Sequence, residues 1–238
     1  MNRIYIDIAG GGWVTASGIG RINEGDCFSM PEGLLPPLRR ELCSSDPDPR
    51  WGRLDRYSKA GLIGASLAIR DASLNNSTEP METAIIASTF NGSVEVDHKY
   101  YETVLPQAGL LASPNLFAYT LPNCMLGEIA IRYGLTGPAM VVSQPTDDML
   151  NGILYGAQCL YTGLSKQVVA GYCNVEYGLD QINTRFRPGA VFIVMQEAKE
   201  SCSLAFDGVN LLYMDKIITD LFEWIEIITH SRITRSSE

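Results

Sequence analysis

The sequence predicts an α/β fold: a mixed, mostly parallel sheet covered by helices, with a further helix at the C-terminal end. Three observations predict it. Continuous apolar runs of strand length, such as Thr83–Thr89, Lys166–Cys173 and Ala190–Met195, suit a sheet covered on both faces. Stretches with apolar residues at helical spacing alternate with them. Hydrophobic residues make up 46% of the 238 and charged residues only 19%, which supports a sizeable core.

In order, Arg3–Ala9 is β-branched and alternating, a strand. Gly10, Gly11 and Gly12 read as a bend, after which Trp13–Ser17 resumes the strand. The cluster loosely resembles a glycine-rich phosphate loop, but no clear helix opens after it, which favours the bend between strands. Residues 21–56 carry Pro31, Pro36, Pro37, Pro47 and Pro49, so they form an ordered excursion, pinned by Trp51. Leu54–Ala72 is a helix with Leu62, Ala65, Ile69 and Ala72 on one side. Asn75–Met81 is a polar loop. After the strand ending at Thr89, Phe90–Ser93 turns into a helix over Val94–Val104. Leu105–Thr120 is loop with one helical turn at Asn115–Tyr119, and Pro122–Tyr133 is a helix closed by Gly134.

Gly137–Tyr155 (GPAMVVSQPTDDMLNGILY) is the joint around which the rest is arranged. It reads as a short buried strand at Ala139–Ser143, a turn at Gln144–Pro145 and a helix that starts at Thr146. Thr146 suits an N-cap, and Asp147 and Asp148 place carboxylates on the first turn, where the helix dipole favours them. Met149, Leu150, Ile153, Leu154 and Ala157 then fall at helical spacing. Gly152 and Gly156 mark close packing, and Gly163 ends the helix. Ser203–Phe206 is a short edge strand. Lys216–His230 is the last helix, with Ile217, Leu221, Ile225 and Ile228 in one stripe widened by Ile218, Phe222 and Trp224.

A net charge of −9 excludes non-specific nucleic-acid binding, which needs lysine and arginine to neutralise phosphates. It also makes docking of an acidic carrier protein depend on a local basic patch. The six cysteines, Cys27, Cys43, Cys124, Cys159, Cys173 and Cys202, include no CxxC pair and read as reduced. The two histidines, His98 and His230, lie far from any cysteine pair, so no metal and no cofactor is expected. The N-terminal residues lack the apolar core of a signal peptide and no run spans a bilayer; the expected location is cytoplasmic.

Four stretches together carry a resemblance: residues 54–72, LDRYSKAGLIGASLAIRDA; 84–102, AIIASTFNGSVEVDHKYYE; 112–138, ASPNLFAYTLPNCMLGEIAIRYGLTGP; and the joint followed by VVAGYCNVE at 168–176. In this order and spacing they resemble the N-terminal half of β-ketoacyl synthases, of thiolase-like fold. Within that family the chain is similar to short ketosynthase-like N-terminal domain proteins and shares features with chain-length-factor subunits. The likeness covers most of residues 1–197, and 198–238 reads as an extension of strand and amphipathic helix. The family carries its acyl-accepting cysteine at the joint, in a segment like DTACSSSLVA. Counted without gaps from Gly137-Pro138, that position is Thr146, and the flanking serines become Asp147 and Asp148. A hydroxyl nucleophile needs a base, and none stands nearby in sequence. The family's two catalytic histidines lie in its second half, which this chain does not resemble, and neither His98 nor His230 occupies a motif position.

The resemblance implies an interface. In ketosynthases the strand before the catalytic turn pairs with its counterpart in the other subunit, and the segment matching Phe117–Gly127 lies near that contact. The analogous residues here are Phe117, Ala118, Tyr119, Cys124, Val141, Val142, Ser143 and Gln144. A half-sized domain leaves an apolar face that requires a partner. The leading expectation is a non-catalytic accessory subunit of fatty-acid or polyketide-type synthesis. It shapes an acyl site as a homodimer or with a complete ketosynthase, and it binds a ketosynthase or an acyl carrier protein. One alternative is a divergent acyltransferase using Thr146, Ser143, Cys124 or Cys159. Of the thiols Cys124 is the stronger candidate, near a helix start, whereas Cys159 falls on a buried helix position. The other alternative is a structural dimerisation module without ligand.

Overall fold

The computed structural model describes residues 3–43, 48–74, 80–143, 149–175 and 187–236. The chain begins with β1 (Ile4–Thr15) and β2 (Gly18–Arg21), followed by the excursion with 3-10 turns at Arg40–Leu42 and Trp51–Arg53. Then come α1 (Arg56–Asp71), β3 (Ala84–Thr89), α2 (Val94–Val104), a 3-10 turn at Pro106–Gly109, α3 (Pro114–Phe117) and α4 (Cys124–Tyr133). β4 (Ala139–Ser143), α5 (Asn151–Tyr161), β5 (Gln167–Asn174), β6 (Gly189–Glu197), β7 (Leu204–Phe206), β8 (Leu211–Tyr213), β9 (Lys216–Ile217) and α6 (Leu221–Ser236) complete it.

The described strands form one mixed sheet in the order β4-β3-β5-β6-β1-β7-β8-β9, with β2 paired to β1. The α/β class, the mixed sheet and the C-terminal helix are as expected. Parallel pairing is confined to β4-β3-β5; the other pairs are antiparallel, so the sheet is less parallel than the sequence suggested.

Both faces of the sheet are covered, and β6 shows how. Its Phe192 and Val194 join Leu62, Ile63 and Ile69 of α1 and Met125 and Ile129 of α4 in one core. Its Val191, Ile193 and Met195 join Ile153 and Leu160 of α5 and Leu221, Trp224 and Ile225 of α6 in the other. Successive strand side chains point to opposite faces, so a run buried on both sides must be apolar throughout. The apolar α5 side of the sheet is therefore filled by α6 of the same chain, not left for a partner.

Several expectations change. The three consecutive glycines do not bend the chain: β1 runs straight through them, with a bulge between Ile8 and Gly10. Their purpose is close approach. A Cβ on Gly10 or Gly12 would stand 2.4 Å from the backbone nitrogen of Ala72, which ends α1, or of Ala68 within it. The Gly11 amide then donates to the Asp71 carboxylate at 2.9 Å, tying the end of α1 to β1. α1 itself starts at Arg56 because Asp55 caps it, accepting from the amides of Tyr57 and Ser58 at 2.9 and 3.2 Å. Ser203–Phe206 does yield β7, but as an inner strand between β1 and β8. The final helix starts at Leu221; Lys216 and Ile217 form β9, and Ile217 is exposed.

Candidate functional site

In open α/β sheets ligands gather beyond the carboxyl ends of parallel strands. Here β3, β4 and β5 end at Thr89, Ser143 and Asn174. The turn after β3 is tied to β5: the Asn91 amide donates to Asn174 Oδ1 at 2.9 Å, and the Gly92 amide donates to Thr89 Oγ1 at 2.9 Å. Gln144, Thr146, Asp147 and Asp148 lie outside the described residues.

The end of that segment is described and differs from the expectation. α5 begins at Asn151, and Met149 and Leu150 precede it as non-helical residues, although both are buried. Met149 has φ +55°, a left-handed conformation that costs a side-chain-bearing residue about 1–2 kcal/mol. Ser88 Oγ lies 3.4 Å from the carbonyl oxygens of both Met149 and Gly171. Gly152 is required just after it: a Cβ there would sit 2.0 Å from the Gly171 carbonyl oxygen. The close packing read from Gly152 and Gly156 is thus present, with α5 pressed onto β3 and β5.

β4 was expected to be buried. It is instead the edge of the sheet, with Ala139, Met140 and Ser143 exposed and Val141 and Val142 half-buried. The Pro138 carbonyl accepts from the Ile85 amide, so residues 138, 140 and 142 turn their backbone to β3. By alternation Ala139, Val141 and Ser143 turn theirs to the open side.

The neighbouring loop carries further apolar surface. Phe117 is 60% exposed and Leu121 62%, and Tyr101, Leu105, Leu110 and Leu111 are exposed nearby in sequence. Ala118 is exposed, whereas Tyr119 is buried. Cys124 is half-buried; its thiol donates to the Ala118 carbonyl at 3.1 Å, and burial pushes its pKa up. That is a thiol held protonated, not the lowered thiol of a nucleophile. Cys159 is buried and pushed the same way. His98 is exposed, with Nδ1 3.7 Å from a Glu102 oxygen, and His230 is exposed on α6. Among the described residues no group of three or more His, Cys, Asp or Glu side chains is placed to hold a metal ion. No described helix is long and apolar enough to cross a membrane.

One polar cluster was not foreseen. On α4, Glu128 and Arg132 face the excursion: Arg50 Nη2 lies 2.6 Å from Glu128 Oε2, and Arg132 Nη1 3.0 Å from Asp48 Oδ2. Tyr119 Oη donates to Glu128 Oε1 at 3.0 Å. Burial, and then the Glu128 carboxylate, push the Tyr119 phenol up to about 12. The i,i+4 spacing of Glu128 and Arg132 was visible, but nothing local in sequence marks residues 48 and 50 as their partners.

The described fold is thus a mixed sheet with α1 and α4 on one face and α5 and α6 on the other. By sequence the chain is 28% identical over 156 residues to a Streptomyces cyaneus protein provisionally named polyketide β-ketoacyl synthase 1; the match takes 59% of this chain and 36% of that one. It is 27% identical over 125 residues to a counterpart of Streptomyces rimosus, covering 49% and 29%. The chain thus spans about a third of the length of the curated relatives it matches. No family model matches. Among solved structures it is similar in fold to one chain of a complex between a type II polyketide synthase acyl-carrier protein and its ketosynthase (TM-score 0.64, 14% identity, 83% of this chain, 64% of that one). It is also similar in fold to one chain of a ketosynthase–chain length factor complex from Xenorhabdus doucetiae (TM-score 0.59, 17% identity, 97% of this chain, 92% of that one). The chain is β-ketoacyl synthase-like in sequence and thiolase-like in fold.

Proposed function

We propose that this chain is a non-catalytic, chain-length-factor-like accessory subunit. It pairs with a complete ketosynthase in polyketide- or fatty-acid-type synthesis and shapes the acyl site of the pair. One observation carries the reading: β4, AMVVS, is an open edge without a charge or a proline. Natural sheets protect exposed edges with such residues, and an apolar edge lacking them is suited to pairing with another strand. The 101–121 arm carries exposed apolar residues of its own.

Two further points support it. Thr146 stands where the resemblance places the acyl-accepting cysteine, and a threonine hydroxyl is a weak nucleophile without a base. At the start of α1, Arg53 and Arg56 are exposed and Lys59 lies over the Trp51 ring at 5.7 Å, a basic rim on a chain of net charge −9. Such a rim suits an acidic carrier protein. The test is co-expression with a complete ketosynthase from the same source. A joint complex, with acyl label from an acyl thioester on the ketosynthase and none on Thr146, supports the reading. A complex containing this chain alone assigns the edge to a homodimer. Label on Thr146 of the isolated chain makes it an acyltransferase and overturns the proposal.

A further inference from the structure

The apolar loop and the Arg50–Arg53 segment that leads into the rim have little regular structure, yet one side chain holds the two together. Glu128 on α4 uses one carboxylate oxygen for Arg50, at 2.6 Å, and the other for the Tyr119 hydroxyl, at 3.0 Å. The Glu128 side chain is 11% exposed, so this is a desolvated, charge-assisted contact. Arg50 precedes the 3-10 turn Trp51–Arg53 that leads into α1, where Arg53, Arg56 and Lys59 form the rim. Tyr119 lies between Phe117 and Leu121, the exposed apolar residues beside α4. A second ion pair, Arg132 with Asp48, joins the same helix to the same excursion but has no bond to the 117–121 loop. The Cys124 thiol on the Ala118 carbonyl and the Ser93 hydroxyl on the Thr120 carbonyl hold the loop from other sides.

We propose that Glu128 is the positioning residue of the partner surface. Its carboxylate fixes the Phe117–Leu121 loop against the Arg50 segment, so that the ketosynthase meets the loop in one fixed shape. The inference rests on the pairing reading above. The energetic logic is preorganisation: a loop already held in its bound shape loses less freedom on association. Glu128→Gln keeps the size and one acceptor for Tyr119 but removes the charge that holds Arg50. Asp48→Asn breaks the neighbouring ion pair on the same helix and serves as the matched control.

The experiment measures hydrogen exchange at residues 117–121 and 50–53, the titration of the Tyr119 phenol, and the affinity for the co-expressed ketosynthase. In Glu128→Gln we expect faster exchange in both segments and a Tyr119 phenol titrating below its value of about 12, since the opposing carboxylate charge is gone. We expect affinity weaker by roughly tenfold, a usual size for coupling between sites, with Asp48→Asn unchanged in affinity and at 117–121. Equal loosening and equal loss of affinity in the two variants would mean general destabilisation and would overturn the proposal. Unchanged exchange at 117–121 in Glu128→Gln overturns it as well. If the wild-type chain binds no ketosynthase, the pairing reading fails by itself, and the exchange and titration still decide whether Glu128 fixes the loop.

Discussion

The sheet ends in two very different strands. At one end β9 is two residues long, carries Lys216 and follows a tight turn in which Met214 and Asp215 both have positive φ, 49° and 63°. That turn is tied down by the Arg3–Asp215 ion pair at 2.8 Å. Shortness and a lysine are common ways of ending a sheet. At the other end β4 is five residues of AMVVS, and its outward amides at Ala139, Val141 and Ser143 face no other described strand. One edge is short and charged; the other, among the described strands, is longer and uncharged.

The largest effect separates the two edges. Val141→Pro removes an outward amide and leaves the ladder to β3 intact, so association with the ketosynthase should fall about a hundredfold or more while the chain stays folded. Ile217→Lys on β9 should leave association unchanged. Sedimentation of mixtures at graded concentrations measures both. Equal losses would abolish the distinction between the edges.

Next in size is the packing of α5 on β3 and β5. Gly152→Ala forces a methyl to within 2.0 Å of the Gly171 oxygen and should cost at least about 2 kcal/mol in chemical denaturation. Smaller is the effect of backbone conformation at Met149. Glycine is ordinarily worse than alanine, but at φ +55° the order should reverse, with Met149→Gly more stable than Met149→Ala by about 1 kcal/mol. The same denaturation series reads both.

The last is a pH effect, expressed only in alkali and away from either edge. Burial pushes the Cys43 thiol up from 9.0 to about 11. A raised folded-state pKa gives a contribution complete below pH 9 that is lost as pH rises through 11. Cys43→Ala should therefore show a flatter decline in stability between pH 9 and 11 than the parent chain.

How much of this was legible depended on where each signal is stored. AIIAST, QVVAGYC and AVFIVM announce strands covered on both faces, because burial on both sides leaves no polar position to confuse the pattern. The same reasoning misread AMVVS, since an apolar strand inside a core and one at an open edge have the same composition. Gly10, Gly11 and Gly12 suggested a bend because their true cause, the backbone of α1, is some 60 residues away. The Arg50–Glu128–Tyr119 contact was invisible for a similar reason. By contrast, Gly152 and Gly156 were read correctly, since glycine within a helical pattern needs a packing cause. The family resemblance was carried by ordered motifs over most of residues 1–197, and the sequence relatives and solved folds agree with it.

The most direct test of the central claim is residue-resolved amide exchange along β4, for the dilute chain alone and with the ketosynthase added. Pairing at the open edge is expected to slow Ala139, Val141 and Ser143 strongly, and to leave Met140 and Val142, already bonded to β3, nearly unchanged. Exchange at Ala139, Val141 and Ser143 that stays as fast with the ketosynthase bound as without it would contradict the account.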